Sequence, residues 1–415
     1  MIKIVDKTYC CGCGACEQIC AKKAIQLIPD NEGFWYPEVN EEICVECGLC
    51  IKSCPVINQN DEREPHEVYA AVNKDESIRK KSSSGGIFSI VAEEVLEKGG
   101  VVFGVRFNEN WDVIFDYFES IDKIDNFRRS KYVQAKVGDS YKDVLRFLKQ
   151  GKYVLFTGTP CQIAGLRLFL RREYENLILM DVICEGVPSP KLWRMYLEEE
   201  FSKQCKQAIA SYPNLSTKEL VIKDISFRNK ESGWNRFSFS LNLTKRRNDG
   251  GDSPILYSYV NRDSAYMQAM FNYLDLRPIC YVCPFKQCKS YSDITIADYW
   301  GIDKLHPEFN DNRGASMIFI HTEKGKSILT LEKMSYIKTN YEESFKFNNV
   351  ITSSKKHPRR EAFYKKIDSC ESIISLLEYY TPTPTDIVKA WVKKLMNFLL
   401  PPSFCNYLLS KWRGQ

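Results

Sequence analysis

Two runs decide how this chain begins to fold: Cys10-Cys11-Gly12-Cys13-Gly14-Ala15-Cys16-Glu17-Gln18-Ile19-Cys20 and Cys44-Val45-Glu46-Cys47-Gly48-Leu49-Cys50-Ile51-Lys52-Ser53-Cys54-Pro55. Read through Cys10, Cys13, Cys16 and Cys20, the first is C-x2-C-x2-C-x3-C; the second keeps that spacing and adds the proline. Three thiolates from one tight loop fit three corners of a [4Fe–4S] cubane, and in paired runs the fourth ligand comes from the other run. The expected sets are Cys10, Cys13, Cys16 and Cys54 for one cluster, and Cys44, Cys47, Cys50 and Cys20 for the other. Gly12, Gly14 and Gly48 let the loops turn where a β-carbon would crowd them. Zinc sites more often join one C-x2-C pair to a second, distant pair. Disulfides are not expected either, because Met1-Ile2-Lys3-Ile4-Val5-Asp6 runs into the first loop without the pattern of a secretory leader.

Composition narrows the rest. At 415 residues the chain is long enough for two or three domains of about 150 residues each. A formal charge of +5 is too mild over this length to argue for nucleic acid, and no basic stripe interleaved with aromatics is present. No apolar run reaches the roughly 18 residues of a spanning helix. Seventeen cysteines in such a chain imply a reducing cytoplasm and metal ligation. The four histidines, His66, His306, His321 and His357, form no ligand pair, which leaves little room for histidine-based metal catalysis.

Hydrophobic periodicity then sets the fold class as α/β. A bacterial ferredoxin-like dicluster module fills residues 1–60, with short strands at Ile25–Ile28 and Phe34–Val39. The polar stretch Asn58 to Pro65 reads as a linker. Residues 66–150 hold strands at Val68–Val72, Val101–Phe107 and Val113–Phe118, with the loop Ser82-Ser83-Ser84-Gly85-Gly86 opening a helix from Ile87 to Glu97. Residues 151–345 bring strand Tyr153–Phe156, helix Ile163–Leu170, strand Leu177–Cys184 and helix Lys191–Phe201, a pace that implies parallel β-α-β units. Val221–Phe227 and Phe237–Leu243 read as antiparallel strands over one face. The run Lys355-Lys356-His357-Pro358-Arg359-Arg360 reads as a solvated face.

Residues 346–415 form a helical tail. After the stiff Thr381-Pro382-Thr383-Pro384-Thr385, residues Asp386 to Leu400 place an apolar face opposite lysines. That pattern fits self-packing, partner docking or peripheral contact with a membrane surface through residues 386–413.

A second metal-type feature lies in the middle of the chain. Cys280-Tyr281-Val282-Cys283 alone fits zinc or a redox pair. Cys161 and Cys184 sit at two predicted strand ends, the edge where parallel sheets gather their sites, and together the four favour a third cluster.

Six motifs occur in order: Ser82 to Gly86, Ser130-Lys131-Tyr132-Val133-Gln134, Phe156-Thr157-Gly158-Thr159-Pro160-Cys161-Gln162-Ile163, Ile183-Cys184-Glu185-Gly186-Val187-Pro188-Ser189-Pro190, Leu276-Arg277-Pro278-Ile279-Cys280-Tyr281-Val282-Cys283, and Asp293 to Gly301. Over about residues 1–305 the chain resembles the family of coenzyme F420 hydrogenase/dehydrogenase beta subunits, in the form fused to a two-cubane ferredoxin module. The resemblance implies FAD beside a [4Fe–4S] cluster whose ligands match at Cys161, Cys184, Cys280 and Cys283. Cys288 is extra to that pattern and competes with Cys184 as fourth ligand. Glu185 stands where the family usually has histidine, so it either does proton work or is a surface carboxylate.

The loop chemistry agrees with a flavin. On its own the serine–glycine loop reads as a helix cap built from Ser84. In this company Ser83, Ser84, Gly85 and Gly86 read as an anion site for the FAD pyrophosphate at a helix N-terminus. Thr157, Gly158 and Thr159 offer a second backbone approach, Tyr132 lies in a matching motif, and Lys131 offers a cation or stays a solvated lysine. The expected function is electron relay between a ferredoxin or another redox protein and a small-molecule two-electron acceptor through clusters and flavin. The alternative is an electron-transfer subunit with no substrate of its own. F420 is the family's namesake ligand, yet no residue marks a deazaflavin pocket.

Overall fold

The computed structural model describes residues 1–211, 216–246, 252–261, 264–348 and 352–381. The expected helix at 386–400, and with it the membrane-contact segment, lies outside the described residues. In the N-terminal module, β1 (Ile25–Pro29) and β2 (Trp35–Val39) pair antiparallel from Ile25 opposite Val39 to Pro29 opposite Trp35. This hairpin separates the two cysteine loops. Each loop leads into a short helix, Ala15–Ile19 or Leu49–Lys52, entered through a glycine at positive φ, Gly14 at 75° and Gly48 at 74°.

The core is an eight-stranded mixed sheet. Its strands are β3 (Glu67–Asn73), β4 (Val101–Phe107), β5 (Val113–Phe118), β6 (Val154–Gly158), β7 (Leu177–Val182), β11 (Ile294–Asp298), β12 (Ser316–Ile320) and β13 (Met334–Thr339), in the order β13-β3-β12-β11-β7-β6-β4-β5. The central four, β11, β7, β6 and β4, run parallel, as the alternating pattern predicts. Both wings are antiparallel: β5 closes one edge, while β12, β3 and β13 extend the other. Strands from before and after residue 150 therefore interleave in one sheet. Every residue of β12 is buried, as expected where both faces are covered.

The remaining strands, β8 (Leu220–Asn229), β9 (Ser238–Arg246) and β10 (Asp252–Asn261), form a separate antiparallel sheet. Phe227 and Phe239 from its inner face pack on Trp193 of the Pro190–Ser211 helix, with centroids 5.0 and 6.2 Å away. That helix runs ten residues beyond the expected end at Phe201.

The cluster module is seated on this core rather than tethered to it. Gln18 Oε1 accepts from the Tyr141 N–H at 2.9 Å. A Cβ on Gly33 would stand 2.3 Å from that of Lys191, so only glycine allows this approach. Arg360 makes a forked pair with Glu32 at 2.7 and 3.0 Å and also donates to Leu276 O. The expected solvated basic face is thus corrected at its last residue: Arg360 is buried because a carboxylate from the other end of the chain meets it. The expected linker is pinned as well. Arg63 bonds the Ser292 carbonyl and stacks 4.7 Å over Tyr291, and Asn60 donates to Lys289 O at 2.9 Å.

Candidate functional site

The N-terminal thiols divide by depth. Cys10, Cys13, Cys16 and Cys54 are all buried, whereas Cys47 is exposed, Cys20 and Cys44 are half-buried, and only Cys50 of that set is buried. Burial pushes the Cys16 thiol well up, and the nearby thiols of Cys10, Cys54 and Cys50 add to the effect. The thiols of Cys10, Cys13, Cys16 and Cys54 thus lie near one another, with Cys50 beside them.

Sheet topology creates a third set. Because β6 and β7 are parallel neighbours, their C-terminal ends share one edge. Cys161 stands in the first turn of the Pro160–Leu170 helix after β6, and Cys184 lies just beyond β7. Cys280 and Cys283 come from the Pro278–Val282 turn and its end. All four line one cavity of about 60 Å³. Burial pushes the Cys184 thiol up to about 12, with Cys161 and Cys283 contributing. Burial also raises Cys280 and Cys283. Buried thiols held this high become thiolates when a bound cation balances the charge, which is the chemistry an iron cluster supplies. The thiols surround a space rather than a point: among the described residues no three Cys, His, Asp or Glu side chains gather as for a single ion.

Cys288 touches the same cavity, but its neighbours are Asp181, Arg63 and the Tyr341 hydroxyl rather than the four thiols. Cys11, which the sequence leaves unassigned, joins the two regions. The hydrogen bond that the Cys161 thiol donates to Cys11 is the largest cause raising Cys161, and Cys11 in turn donates to Cys13. On the other side of Cys13, a Cβ on Gly165 would stand 2.9 Å from its sulfur, so the Pro160–Leu170 helix lies directly against the inner cluster loop. The only advance signal for Cys11 is the doubled Cys10-Cys11.

A cleft of about 400 Å³ adjoins this cavity, within the size range of small-molecule sites. Val182 to Val187, including Cys184 and Glu185, belong to both walls. The cleft gathers Ser83, Ser84, Gly86, Lys131, Tyr132, Thr157, Gly158 and Thr159. Gly85 stands outside its wall: its N–H donates to Ser316 Oγ at 3.0 Å, and a Cβ there would meet Ala71 O at 2.5 Å.

Two helices begin at the cleft, and they differ. The Ile87–Glu97 helix starts at Gly86, φ 87°, with no side chain capping it. The Ser84 cap does not form, since that hydroxyl donates to Ala315 O at 2.8 Å. Ser83 Oγ accepts from the Ser130 N–H at 2.8 Å, which ties the loop to the Lys131 segment. Gly86, Ile87 and Phe88 lie in the cleft wall, so the free first-turn amides suit an anion. At the other helix, Gln162 Oε1 accepts from the Thr159 N–H at 2.8 Å and its hydroxyl at 2.9 Å, and Thr157 Oγ1 donates to Phe103 O at 2.8 Å. The Thr157 and Thr159 hydroxyls and the Thr159 N–H are thus paired within the protein, although all three residues of this turn line the cleft.

Lys131 donates to three carbonyls, Arg128 O at 2.7 Å, Asn126 O at 3.0 Å and Arg129 O at 3.3 Å. Burial, helped by the Arg129 charge, lowers its ammonium to about 7. Glu185 is exposed at the mouth and accepts from the Tyr273 hydroxyl at 3.1 Å. Arg228, which sequence reading missed, forks onto Asp298 at 2.8 and 3.0 Å and donates to Tyr132 OH at 3.1 Å. Its guanidinium lies 3.9 Å over the Phe237 ring. Nothing in its strand sequence set this arginine apart.

Comparison with known proteins agrees in order along the chain. The 4Fe-4S dicluster domain matches residues 9–58. The coenzyme F420 hydrogenase/dehydrogenase beta subunit matches in two parts, its N-terminal region over 68–140 and its C-terminal region over 151–344, together more than half the chain. A subunit of the F(420)H(2) dehydrogenase of Methanosarcina mazei is 25% identical over 195 residues, covering 44% of this chain and 55% of that one. A polyferredoxin-like protein of Methanocaldococcus jannaschii is 32% identical over 93 residues, 19% of this chain and 55% of that protein. The chain thus spans about half the length of these curated relatives. In the F420-reducing [NiFe] hydrogenase complex of Methanosarcina barkeri, one chain aligns with a TM-score of 0.41 at 15% identity, over 79% of this chain and 92% of that one.

Proposed function

We propose that this chain, which belongs to the family of coenzyme F420 hydrogenase/dehydrogenase beta subunits and carries a 4Fe-4S dicluster domain ahead of that region, is an iron–sulfur flavin oxidoreductase. It links a ferredoxin-type protein, met at the dicluster module, with an organic two-electron acceptor in the 400 Å³ cleft. One observation carries this reading: the third thiol set shares the Cys184–Val187 wall with the cleft and meets the inner N-terminal set through Cys11. When bound, the clusters exchange single electrons and the flavin exchanges one or two.

The chain's own residues divide the work. Cys20, Cys44, Cys47 and Cys50 hold the outer cluster, where Cys47 meets solvent and a partner protein. Cys10, Cys13, Cys16 and Cys54 hold the inner cluster, and Cys161, Cys184, Cys280 and Cys283 the third. The uncapped start of the Ile87–Glu97 helix holds the FAD pyrophosphate. Tyr132 and Phe237, fixed by Arg228, wall the cleft and exclude water. Glu185, oriented by the Tyr273 hydroxyl, presents its carboxylate at the cleft mouth as the group that exchanges a proton with the acceptor. Lys131, its ammonium lowered to about 7 by burial, donates to the carbonyls below the cleft and can hold or release a proton there.

A second reading is favoured by the name of the M. mazei relative, which is a dehydrogenase subunit. In that reading the chain passes electrons to a partner and has no substrate of its own. The experiment is anaerobic purification with iron, sulfide and flavin quantified, then a screen of oxidised substrates, F420 among them, against photoreduced ferredoxin. Turnover by the isolated chain supports the enzyme. Flavin reduction without turnover of any acceptor supports the electron-transfer role, and absence of flavin overturns both forms of the cleft assignment. Peripheral membrane contact through residues 386–413 is read from the sequence pattern. A chain ending at Thr381 is expected to lose any sedimentation with anionic vesicles while keeping its iron.

A further inference from the structure

Five arginines are buried among the described residues: Arg79, Arg128, Arg228, Arg277 and Arg360. Four have a carboxylate: Asp311, Asp125, Asp298 and Glu32, respectively. The fifth, Arg277, is the most deeply buried at 0% exposure, and no carboxylate pairs with it among the described residues. Its Nε donates to Cys10 O at 2.8 Å, Nη2 to Trp35 O at 2.9 Å, and Nη1 to Gln134 Oε1 at 3.2 Å. Nη2 also points at the Cys10 sulfur, 3.4 Å away, and the guanidinium stacks 4.2 Å over Tyr36. The Cys10 loop is moulded to it: a Cβ on Gly12 would stand 2.8 Å from Nη1.

An unbalanced buried charge is costly, and neutral oxygens do not cancel it. Among its hydrogen-bond acceptors the Cys10 sulfur alone can carry negative charge, and it is the first of the groups whose charge acts on the guanidinium, ahead of Tyr36, Cys11 and Cys280. We infer that Arg277 is the counter-charge of the inner N-terminal cluster and sets that cluster's reduction potential above that of the outer one. This rests on the reading of Cys10, Cys13, Cys16 and Cys54 as one cubane's ligands. A cation and an N–H···S bond both favour the more negative, reduced form of a cluster. At the outer set, the described sulfur contact is a backbone N–H from Ala24 to Cys20 at 3.3 Å, which brings no charge. One electron therefore passes downhill from the outer cluster, which is oxidised, to the inner one, which is reduced, with no bond made or broken. Arg277 lies three residues before Cys280, so the same segment that builds the third site also poises its donor.

The test is an EPR-monitored potentiometric titration of the full-length holoprotein, wild type against Arg277→Gln, Arg277→Lys and Gln134→Glu. Gln134→Glu leaves the arginine in place and sets a carboxylate against it, so it reads the charge even where Arg277→Gln loses iron. Both neutralising changes are expected to make one N-terminal cluster at least tenfold harder to reduce, about 59 mV for a one-electron couple, and to leave the other unmoved. Arg277→Lys is expected to recover most of that shift. Unchanged potentials in iron-replete Arg277→Gln or Gln134→Glu overturn the inference, as does an equal shift of both clusters. Wild-type protein without two N-terminal cubane signals overturns instead the ligand reading beneath it.

Discussion

The cysteines of residues 10–54 and those of the core solve the same coordination problem by opposite means. Each N-terminal loop supplies three of the proposed ligands from seven residues, with glycines at φ 69°, 75° and 74° making the turns. The core set draws Cys161 from the turn after β6, Cys184 from the end of β7, and Cys280 and Cys283 from a turn about a hundred residues on. The first set is local and keeps its shape while its loop does. The second exists only while parallel strands hold two chain ends on one edge. Local sites tolerate damage to the fold, and assembled sites do not.

The largest expected effect tests whether the two sets are independent. Cys161→Ala, Cys184→Ala, Cys280→Ala or Cys283→Ala should each lower iron from about twelve to about eight per chain, at four irons per cubane. Both N-terminal EPR signals should remain. Ferredoxin should no longer reduce the bound flavin, while dithionite still does. Loss of the N-terminal signals in any of these variants would show that Cys11 and Cys13 make the sets one unit.

The next effect concerns the seating of the module. Glu32→Gln leaves the Arg360 guanidinium, 4% exposed, without its carboxylate. Breaking a buried pair from one side costs about 3–5 kcal/mol. A thermal scan of the anaerobic protein should show the lower midpoint, while cluster EPR below it stays as in wild type. If EPR of the N-terminal clusters changes first, the local loops depend on the core after all.

This contrast also explains what the sequence made legible. Spacing gave the eight N-terminal candidates, because ligand runs are local patterns, whereas Cys161, Cys184, Cys280 and Cys283 were named as a set by the family resemblance. Hydrophobic alternation found β1 to β7 to within a few residues. It did not find the antiparallel wing β12-β3-β13, which joins residues about 250 apart. The partners Arg277, Arg360 and Arg228 were hidden for the same reason: a buried arginine looks like a surface one until its distant acceptor is known. The reading of Ser84 as a cap failed because Ala315, far along the chain, takes its hydroxyl.

The smallest expected effect decides the fourth core ligand. Cys288 lies in the same cavity wall as Cys184, so shared lining does not separate them. Their neighbours do. Cys184 feels the thiols of Cys161 and Cys283, and its sulfur accepts from the Gly186 N–H at 3.4 Å, an arrangement typical of a ligand held by its own loop. Cys288 sits in a left-handed backbone turn with Gln287, φ 57° and 59°, and its thiol meets the Tyr341 hydroxyl and the Asp181 carboxyl instead. Burial, reinforced by Asp181, pushes that thiol up to about 12, which favours a neutral packing group. Cys288→Ala should therefore keep all twelve or so irons and the third cluster's signal, with a stability loss of about 1 kcal/mol from the small void. The reverse pattern, a third cluster that survives Cys184→Ala and vanishes in Cys288→Ala, would move the site one wall deeper and away from the cleft.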